Sequence, residues 1–592
     1  MKFVHLKKKY YLCTPKRPIR LNMSKQHPLT HFCGYKPSLW LLTTIFCISI
    51  IAKNLLFHQF CFYESLFSAA IWNSPIVTGA VLLPKISVGL LLAGIVLLTP
   101  RKYWTIVFSF IFDIWCIANL AYYRSTASMI DIATLSMVDN MKGFWDSVWF
   151  LLSWKDLTFP CITLLYTLLL CLFNTRKTNW KISILMLLLA YGITLLGLFC
   201  MTKRWDRNFD MCYEPLSKHM RRTLSGVDYT LNVRETSLIH SWGFMLLDMI
   251  ESEQSKHDLT PQDHQDIAAL IGEDTPTTFD EKLVIILVES LEDWAINPTS
   301  MPNLYHFLKT HPTLWAHKIS KQTENGASSD GQLIINTGLL PISRGATCYL
   351  FPANKYPSIA SRTTSQAATI IPHEITVWNQ HHLSKAWGYD TTIVRTPNDS
   401  LLATQTIHLL HHGYQMVQLI TLSSHIPFTY GASRSSLQLP ESMPRFMADY
   451  MKSLHYADAG LSVLLNAIDS DSILQHTTFV ITGDHTIFYP DQRTEYKSYC
   501  TNAGMNYDIT EAYCPLIIYS PKHITQHLEI TDVNYQMDIY STIMSLMGCE
   551  SYFWQGVGVN LLDQEARHNR RFNEREAYRL SDIIIRSNYF EQ

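Results

Sequence analysis

The run Leu283-Val284-Ile285-Ile286-Leu287-Val288-Glu289-Ser290 is a continuous apolar stretch of mostly branched residues that stops at an acid. A strand that is buried on both faces of a parallel sheet gives this unbroken pattern, whereas a half-exposed strand alternates apolar and polar side chains. Ligands of open α/β folds bind beyond the carboxyl ends of such strands. The stretch therefore predicts a central parallel strand that presents Glu289 at the ligand-binding edge.

Three later apolar runs have the same form and also end in polar residues. They span residues 417–422, 478–482 and 516–519, and they are followed by Ser423-Ser424-His425, Gly483-Asp484-His485 and Ser520-Pro521. Helical patterns at residues 301–309, 384–388 and 447–468 lie between these runs. Strands that alternate with helices predict an α/β domain with a doubly wound, mostly parallel sheet and helices on both faces.

The composition divides the chain of 592 residues into two halves. Hydrophobic residues make up 47% of the sequence and charged residues only 16%, and long apolar runs dominate up to about residue 201. From residue 203 onward the sequence is mixed, as in an ordinary globular domain. The net charge of −1 argues against a nucleic-acid partner, because binding to phosphate backbones needs a basic surplus.

Five apolar segments are each close to the roughly 20 residues that cross a bilayer. They are residues 39–57, 76–98, 104–122, 157–173 and 182–201. The basic tail and the pairs Arg101-Lys102 and Arg176-Lys177 fall on one side if the chain alternates, which makes that side cytoplasmic. We therefore expect a cytoplasmic tail (1–38), a domain of five transmembrane helices (39–202), a linker with membrane-proximal helices (203–281), and an extracytoplasmic catalytic domain (282–592) on the cytoplasmic membrane.

Two ionisable residues, Lys85 and Asp113, lie inside predicted spans, where a charge usually faces a bundle interior, a partner or water. They could line a path for a lipid headgroup, or they could be a snorkelling lysine and one member of a buried structural pair. In the loop at residues 125–156, apolar side chains recur every three or four positions from Met137 to Leu152. This spacing predicts an amphipathic helix at the outer membrane surface.

Thirteen cysteines are scattered along the chain, with no C-x-x-C pair and no zinc-like spacing. Most of them fall in the tail or the apolar half, where a free cysteine behaves as a small apolar side chain. Cys500 and Cys514 could close a loop if the globular half faces an oxidising compartment.

A polar turn, Asn325-Gly326-Ala327-Ser328-Ser329-Asp330-Gly331, leads into the apolar run Leu333-Ile334-Ile335. A hydroxyl at the start of a helix lies where backbone N–H groups and the helix dipole favour an anion. Ser328 is therefore the candidate nucleophile, and phosphate is the candidate anion. An ordinary helix cap would account for the same residues, since Ser and Asp are preferred at helix starts.

Four side chains follow the predicted strands and should meet at one edge of the sheet: Glu289, His425, Asp484 and His485. Carboxylate and imidazole groups suit a divalent metal such as Mn²⁺ or Zn²⁺. Each residue has another explanation, namely a helix cap for Glu289, a satisfied surface histidine for His425 and a turn for the Asp484-His485 pair. Their shared position at strand ends favours a metal site.

With these residues assembled, the chain resembles the lipoteichoic acid synthase and phosphoglycerol transferase family, a membrane-anchored branch of the alkaline phosphatase/sulfatase superfamily. The likeness covers both halves of the chain. The matching motifs are Val288-Glu289-Ser290 for the metal glutamate, Gly326-Ala327-Ser328-Ser329-Asp330 for the nucleophile turn, Thr482-Gly483-Asp484-His485 for the metal pair, and Ser424-His425-Ile426-Pro427-Phe428 for the substrate-side histidine. Asp538-Ile539-Tyr540 and Gln555-Gly556 look like the superfamily's carboxyl-terminal strand and closing turn.

One spacing favours Ser328 over Ser329 as the nucleophile. Sulfatases carry theirs nine positions before a Thr-Gly that precedes a Pro, and Ser328 stands nine positions before Thr337-Gly338, with Pro341 following. The sulfatase signature, Cys or Ser-x-Pro-x-Arg, is missing, because Asp330 and Gln332 occupy the places of Pro and Arg. Its absence argues against formylglycine chemistry and sulfate esters.

Two positions depart from the family that the chain resembles. The nucleophile is Ser where the family usually has Thr, and both are hydroxyls that a metal can deprotonate. The family motif Trp-Asn-Arg is here Trp378-Asn379-Gln380, so a bidentate arginine contact to phosphate or glycerol is lost. We expect Trp378, Gln380 and His425 to bind substrate, and we expect that the headgroup or the acceptor can differ from the polyglycerolphosphate case.

The resemblance implies a metal-dependent phosphotransferase, with Glu289, Ser328, Asp484 and His485 on a divalent metal. Mn²⁺ is the expected metal, and Zn²⁺ or Mg²⁺ are alternatives. Ser328 would attack the phosphorus of a membrane phospholipid headgroup, and a glycan or lipid hydroxyl would then accept the headgroup phosphate, with His425 as a substrate ligand or acid/base. Phosphoethanolamine transfer, phosphodiester hydrolysis and a catalytically dead lipid-headgroup sensor are the other functions that the sequence leaves open.

Overall fold

The computed structural model describes residues 39–62, 74–98, 103–126, 129–130, 145–172, 180–205, 233–254, 259–273, 277–343, 345–396, 398–488 and 490–591. The basic tail, the pairs Arg101-Lys102 and Arg176-Lys177, and the part of the predicted amphipathic segment before Trp145 lie outside these residues. The side on which the tail lies and the exact domain boundaries therefore stay predictions.

Six helices make up the described part of the amino-terminal half: α1 (Leu39–Phe62), α2 (Pro75–Leu97), α3 (Trp104–Thr126), α4 (Trp145–Leu151), α5 (Thr158–Leu172) and α6 (Trp180–Trp205). Four of them, α1, α2, α3 and α6, are long and apolar enough to cross a membrane. The fourth predicted span, residues 157–173, corresponds to α5, which has 15 residues in the described chain and is shorter than the roughly 20 residues that a span needs. The described part of the apolar half thus has four candidate spans and two shorter helices, α4 and α5.

A buried ion pair joins two of these helices. The ammonium of Lys53 in α1 lies 2.5 Å from the Asp113 carboxylate in α3, and it also donates to the Thr163 hydroxyl of α5 at 2.6 Å. Asp113 therefore has a structural partner of the kind that buried charges need. That partner is Lys53, whereas Lys85 donates to the backbone carbonyl of Arg234 at 3.0 Å.

Two helices lie in the described part of the predicted linker, α7 (Leu238–Gln254) and α8 (Pro261–Ala268). A capping box formed by Thr260 and Asp263 begins α8, and the Asp263 carboxylate also pairs with Arg579 near the carboxyl terminus at 3.0 Å. This part of the linker is therefore held on the surface of the globular half.

Nine strands form one sheet in the globular half: β1 (Leu283–Val288), β2 (Leu314–Ser320), β3 (Ala367–Ile371), β4 (Thr391–Val394), β5 (Met416–Ile420), β6 (Thr478–Gly483), β7 (Tyr513–Tyr519), β8 (Leu528–Ile530) and β9 (Asn534–Tyr535). Their spatial order is β4-β3-β5-β1-β6-β7-β2-β8, and β9 also pairs with β2. β1 lies at the centre and is parallel to both of its neighbours, β5 and β6. Among the described pairings, β7 alone runs antiparallel, to β6 on one side and β2 on the other.

The longer helices that cover the sheet are α9 (Pro302–Thr310), α10 (Ser328–Thr337), α12 (Gln380–Ala386), α13 (Asp399–His411), α15 (Arg445–Leu465), α16 (Pro490–Asn502), α17 (Met537–Leu546) and α19 (Glu574–Ser587), and α11 (Thr347–Leu350), α14 (Thr429–Ala432) and α18 (Gln564–His568) are short. Alternate residues of β1 enter opposite cores. Ile285 and Leu287 pack in the core that includes α10 and α17, and Ile286 packs in the core that includes α15. The predicted α/β domain with helices on both faces is confirmed.

Three details differ from the sequence-based expectations. The reversed direction of β7 places its carboxyl end, at Ser520, on the edge opposite to Glu289, because an apolar run alone carries no direction. The tripeptide at residues 538–540 lies in α17 rather than in a strand, and the buried Asp538 there is paired with Arg570 at 2.6 Å. Cys500 and Cys514 do not pair, because both are free thiols.

Candidate active site

The carboxyl ends of β1 and β6 bring three of the predicted metal ligands together. Glu289, Asp484 and His485 each offer one ligand atom, and these atoms lie within 4.8 Å of one another. The two strands are adjacent and parallel, with Val288 opposite Gly483. The residues that follow the strands are therefore neighbours at the same edge of the sheet.

Ser290 fixes the two carboxylates of this group. Its backbone N–H donates to Oδ1 of Asp484 at 2.8 Å, and its hydroxyl donates to Oε1 of Glu289 at 2.7 Å. Ser290 has a φ of 56°, in the left-handed region, which costs backbone strain of the kind that is common at functional sites. The strained turn after β1 thus orients the carboxylates of Glu289 and Asp484.

One oxygen of this group is buried without a hydrogen bond. Oδ2 of Asp484 has no hydrogen-bond partner in the described part of the chain, and the nearest imidazole nitrogen, Nε2 of His485, is 3.7 Å away. An unsatisfied buried carboxylate oxygen is costly, and a cation between Glu289, Asp484 and His485 would satisfy it. The residues present therefore fit a divalent metal.

The electrostatics of the group agree with that fit. Burial, and then the neighbouring Glu289 carboxylate, raise the pKa of Asp484 to about 6. Burial also acts to raise the pKa of Glu289, but His425 and His485 outweigh it and hold that pKa below its ordinary value. Two acids that disfavour each other's charge in this way are stabilised by a shared positive ion.

The two serines of the predicted nucleophile turn have different surroundings. The Ser328 hydroxyl, on the first residue of α10, donates to Oε2 of Glu289 at 3.3 Å. The Ser329 hydroxyl is buried and donates to the Gly326 carbonyl at 2.7 Å and to the sulfur of Cys348 at 3.2 Å. Of these two hydroxyls, the one from Ser328 therefore faces the metal-ligand group.

Asp330, Gly326 and Gly331 determine the shape of the nucleophile turn. Oδ2 of Asp330 accepts from the backbone N–H groups of Glu324 and Gly326 at 3.0 and 2.8 Å, and burial raises the pKa of this carboxyl to about 7. A side chain at Gly326 would collide with the Asp330 carboxylate, and a Cβ on Gly331 would lie 2.7 Å from the carbonyl oxygen of Asp484. The start of α10 is thus in direct backbone contact with the metal-ligand loop.

His425 follows β5 at the same edge of the sheet. Its Nδ1 atom lies 2.5 Å from the carbonyl oxygen of Ile426, which orients the ring, and its charge lowers the pKa of Glu289. The structure therefore brings His425 near the group that Glu289 belongs to, as expected from its position after a strand.

His373 is a neighbour that the sequence analysis missed. It follows β3, which is parallel to β5, and it is half-buried; burial and the nearby charge of His425 lower its pKa. The sequence does contain a signal for His373, because the apolar run of β3 is followed by Pro372-His373 just as the other runs are followed by polar residues.

The two residues expected to bind substrate from the Trp378-Asn379-Gln380 segment lie in different places. Trp378 has a φ of 55° and is partly exposed, with its ring 6.2 Å from that of Tyr349. Gln380 is 0% exposed, and its amide is bonded to Gln332 at 3.0 Å and to Ser384 at 3.1 Å. Gln380 therefore has no surface with which to bind substrate.

Gln380 instead belongs to a buried amide network beneath α10. Gln332 of α10 bonds to Gln380 and to Gln418 of β5, and Asn336 of α10 donates to Gln418 at 2.7 Å. Tyr389 donates to Asn336 at 2.7 Å. A buried hydrogen-bond network whose members are satisfied makes the structure around it rigid. This network therefore fixes the helix that carries Ser328 to the sheet and to the Trp378 segment.

Two protein-family profiles match the chain. The first is described as the lipoteichoic acid synthase N-terminal domain and matches residues 23–214. The second is described as sulfatase and matches residues 337–549. The two profiles cover the membrane-spanning half and much of the globular half in turn.

Curated proteins and solved structures are similar to the chain at low sequence identity. Lipoteichoic acid synthase 2 of Bacillus subtilis (strain 168) is 21% identical over 514 residues, which are 78% of this chain and 74% of the relative. The crystal structure of the lipoteichoic acid synthase LtaP from Listeria monocytogenes aligns with a TM-score of 0.44 at 20% identity, over 51% of this chain and 82% of that one. The integral membrane protein lipooligosaccharide phosphoethanolamine transferase A from Neisseria meningitidis aligns with a TM-score of 0.48 at 12% identity, over 87% and 97%.

These matches confirm the resemblance that the sequence predicts: the apolar half is similar to the lipoteichoic acid synthase N-terminal domain, and much of the globular half is similar to the sulfatases. The Bacillus subtilis relative is named a lipoteichoic acid synthase, in agreement with the branch that the sequence resembles. The enzyme class predicted from the sequence, a phosphotransferase, is the class to which the names of these relatives belong.

Proposed function

We propose that the protein transfers the phosphate-containing headgroup of a membrane phospholipid, phosphoglycerol in type, to a hydroxyl of a glycan or lipid at the outer face of the cytoplasmic membrane. The observation that carries the proposal is the Ser328 hydroxyl at the start of a helix, 3.3 Å from Glu289 and beside the group formed by Glu289, Asp484 and His485. A nucleophile, a set of metal ligands and a helix amino terminus that favours an anion are what phosphoryl transfer requires. The relatives' names support the same reaction class.

In the first step, the Ser328 oxygen forms a bond to the headgroup phosphorus while the bond from phosphorus to the diacylglycerol oxygen breaks. Oε2 of Glu289, which accepts a hydrogen bond from this hydroxyl, takes its proton. His425 donates a proton to the departing diacylglycerol oxygen, since imidazole exchanges protons near neutral pH. Ser328 is left with the headgroup phosphate as a diester.

In the second step, a hydroxyl of the acceptor attacks that phosphorus and the bond to Ser328 breaks. His425 takes the proton of the attacking hydroxyl, and the departing Ser328 oxygen takes back its proton from the Glu289 carboxyl, which returns both groups to their starting states. Glu289, Asp484, His485 and Ser328 would hold a divalent metal, with Mn²⁺ expected and Zn²⁺ or Mg²⁺ as alternatives, and this metal would supply Lewis-acid stabilisation of the serine oxygen and of the phosphoryl charge.

The choice of headgroup depends on residues near Trp378. Because Gln380 is fully buried, the proposed substrate contacts are Trp378, His425 and the neighbouring His373. None of these is the bidentate arginine that the resembled family places on phosphoglycerol, so phosphoethanolamine is the second candidate headgroup. Water as the acceptor would make the protein a phosphodiesterase.

The test uses the full chain in vesicles that contain either labelled phosphatidylglycerol or labelled phosphatidylethanolamine. We expect metal-dependent release of diacylglycerol from one of the two lipids and a headgroup phosphate on the acceptor, identified by mass analysis. The Ser328→Ala variant should release none. Turnover that continues in that variant would overturn the assignment of the nucleophile, and a wild-type protein that retains neither metal nor turnover would favour a headgroup-binding sensor.

A further inference from the structure

The described membrane half contacts the globular half at the nucleophile turn and at the start of α15. The Tyr122 hydroxyl, near the end of α3, donates to Oδ1 of Asn325 at 3.4 Å. The Phe150 ring of α4 stacks on Phe446, with ring centroids 5.9 Å apart and planes inclined by 27°. These contacts are independent of the metal-ligand group and of the resemblance to known enzymes.

An ion pair makes the two contacting segments a single unit. Arg124 forms a bidentate pair with Asp156, with both N–O distances at 2.7 Å, and it also donates to the Leu151 carbonyl at 2.9 Å. Bidentate arginine–carboxylate pairs restrict geometry as well as adding energy. Tyr122, Arg124, Phe150, Leu151 and Asp156 are called the outer rim below.

Each contact of the outer rim leads to a residue of the proposed mechanism. Asn325 is buried and opens the turn that carries Ser328 three residues later. Phe446 packs edge-on against Phe428, with centroids 4.9 Å apart, and Phe428 ends the short loop that begins at His425. The outer rim therefore bears on both the nucleophile turn and the histidine loop.

Aromatic side chains next to the outer rim indicate where it lies. Trp149 and Trp154 are 70% and 77% exposed, and tryptophans are enriched at the level of lipid headgroups. A unit that places its tryptophans in the headgroup layer also sets the height of the nucleophile turn and of the histidine loop above that layer.

We propose that the outer rim is a positioning element of the active site, and that Tyr122 and Phe150 hold the nucleophile turn and the histidine loop in their reactive arrangement at the membrane surface. The proposal rests on the proposed headgroup transfer for its effect on rate. Its structural part, the restraint of the turn by the membrane half, stands apart from that reaction.

The first test compares Tyr122→Phe, Phe150→Ala and Asn325→Ala in the full chain in vesicles. We expect kcat to fall about two- to tenfold, the range for loss of one modest contact, with the KM for the lipid changed little. Phe150→Tyr should keep wild-type kcat because it keeps the stacked ring. The Tyr122→Phe/Asn325→Ala double variant should be no slower than the slower single variant, because both remove the same contact. Tyr103→Phe, just before the opposite end of α3, is the matched control.

The second test is amide hydrogen exchange of the peptide at residues 322–331 in the same full-length proteins. Tyr122→Phe and Phe150→Ala should speed exchange in this peptide or in the peptide that contains His425, whereas Tyr103→Phe should not. Unchanged exchange and unchanged kcat in both rim variants would overturn the proposal. If the wild-type protein transfers no headgroup, the proposed function fails, and exchange alone then decides whether the outer rim restrains the turn.

Discussion

The hydroxyl oxygen of Ser328 lies 3.3 Å from Oε2 of Glu289. The next hydroxyl along the chain, on Ser329, is instead committed to the backbone of the turn. We therefore expect Ser328→Ala to lose headgroup release by at least about a thousandfold, the scale for loss of a covalent nucleophile. Ser329→Ala is the matched control and should keep most of the activity while losing about 1 kcal/mol of stability with its hydrogen bond. The reverse ranking in a vesicle assay would assign the reaction to Ser329.

Removal of metal should inactivate the protein reversibly. The buried and unbonded Oδ2 of Asp484 indicates that a cation completes the group, so chelation followed by Mn²⁺ should restore turnover. Asp484→Asn and His485→Ala should each lower bound metal, as measured by elemental analysis of the purified full chain. A variant that keeps its full metal content would remove that residue from the ligand set. His476 lies outside the group of proposed metal ligands, so His476→Ala is the control for the metal measurement.

The buried pair of Glu292 and Arg493 should contribute to the stability of the loops at the site. Glu292 accepts from Arg493 at 2.6 and 2.9 Å and from the backbone N–H of Ile487 at 2.9 Å, so it ties the end of β1 to the loop after His485. Arg493→Met leaves a buried charge without its partner and should cost about 3–5 kcal/mol of unfolding free energy. Adding Glu292→Gln should recover part of that loss. Lys522→Met, which breaks an exposed pair with Glu281, should leave the unfolding free energy almost unchanged in the same experiment.

Asp399 should make the protein less stable as the pH rises. Burial raises its pKa to about 7, above the roughly 3.9 of the unfolded chain. Between about pH 4 and 7 the folded state therefore binds one proton more than the unfolded chain. The stabilisation from protonated Asp399 is complete at low pH and is lost as the pH rises through 7. It amounts to at most ~4 kcal/mol for a shift of that size.

The measurement is thermal unfolding of the full chain in detergent between pH 5 and 8, followed by tryptophan fluorescence. Asp399→Asn should flatten the fall in midpoint over this range, because the substituted amide does not titrate. Asp563→Asn, at an exposed helix start, should keep the wild-type slope. Equal slopes for wild type and Asp399→Asn would show that Asp399 is ionised throughout.

Gln380→Arg should not convert the site into one that holds phosphoglycerol through arginine. Gln380 is fully buried, so the substitution places a charge next to Gln332 and should lower the unfolding midpoint without a gain in turnover. The Gln332→Glu/Gln380→Arg double variant should recover stability by pairing the charge. A single variant that is stable and more active on phosphatidylglycerol would show that the side chain reaches the substrate.

The sequence predicted the parts of this site that follow from local pattern. Glu289, His425 and Asp484 each follow a mostly apolar run, and parallel strands bring such ends to one edge whatever the rest of the chain does. The strand β2 was missed because it reads Leu-Trp-Ala-His-Lys-Ile-Ser, with polar residues that its edge-side position in the sheet tolerates.

Other features could not be predicted because they are relations between distant segments. The direction of β7 depends on how the chain returns to the sheet, and the burial of Gln380 depends on Gln332, which is 48 positions earlier. The Lys53 partner of Asp113 likewise lies on another helix. A pattern in one segment contains no information about such partners.

The contact between Gly331 and Asp484 has a consequence for how this site can change by mutation. Any side chain at position 331 would meet the Asp484 backbone at 2.7 Å, and a backbone cannot rotate away as a side chain can. A saturation library at position 331 should therefore return glycine almost alone among active clones, even though the residue takes no part in the chemistry. Substitutions in α10 and in the loop that contains Asp484 must then arise together in related sequences. Transplanting either segment alone into a related enzyme should therefore give an inactive chimera.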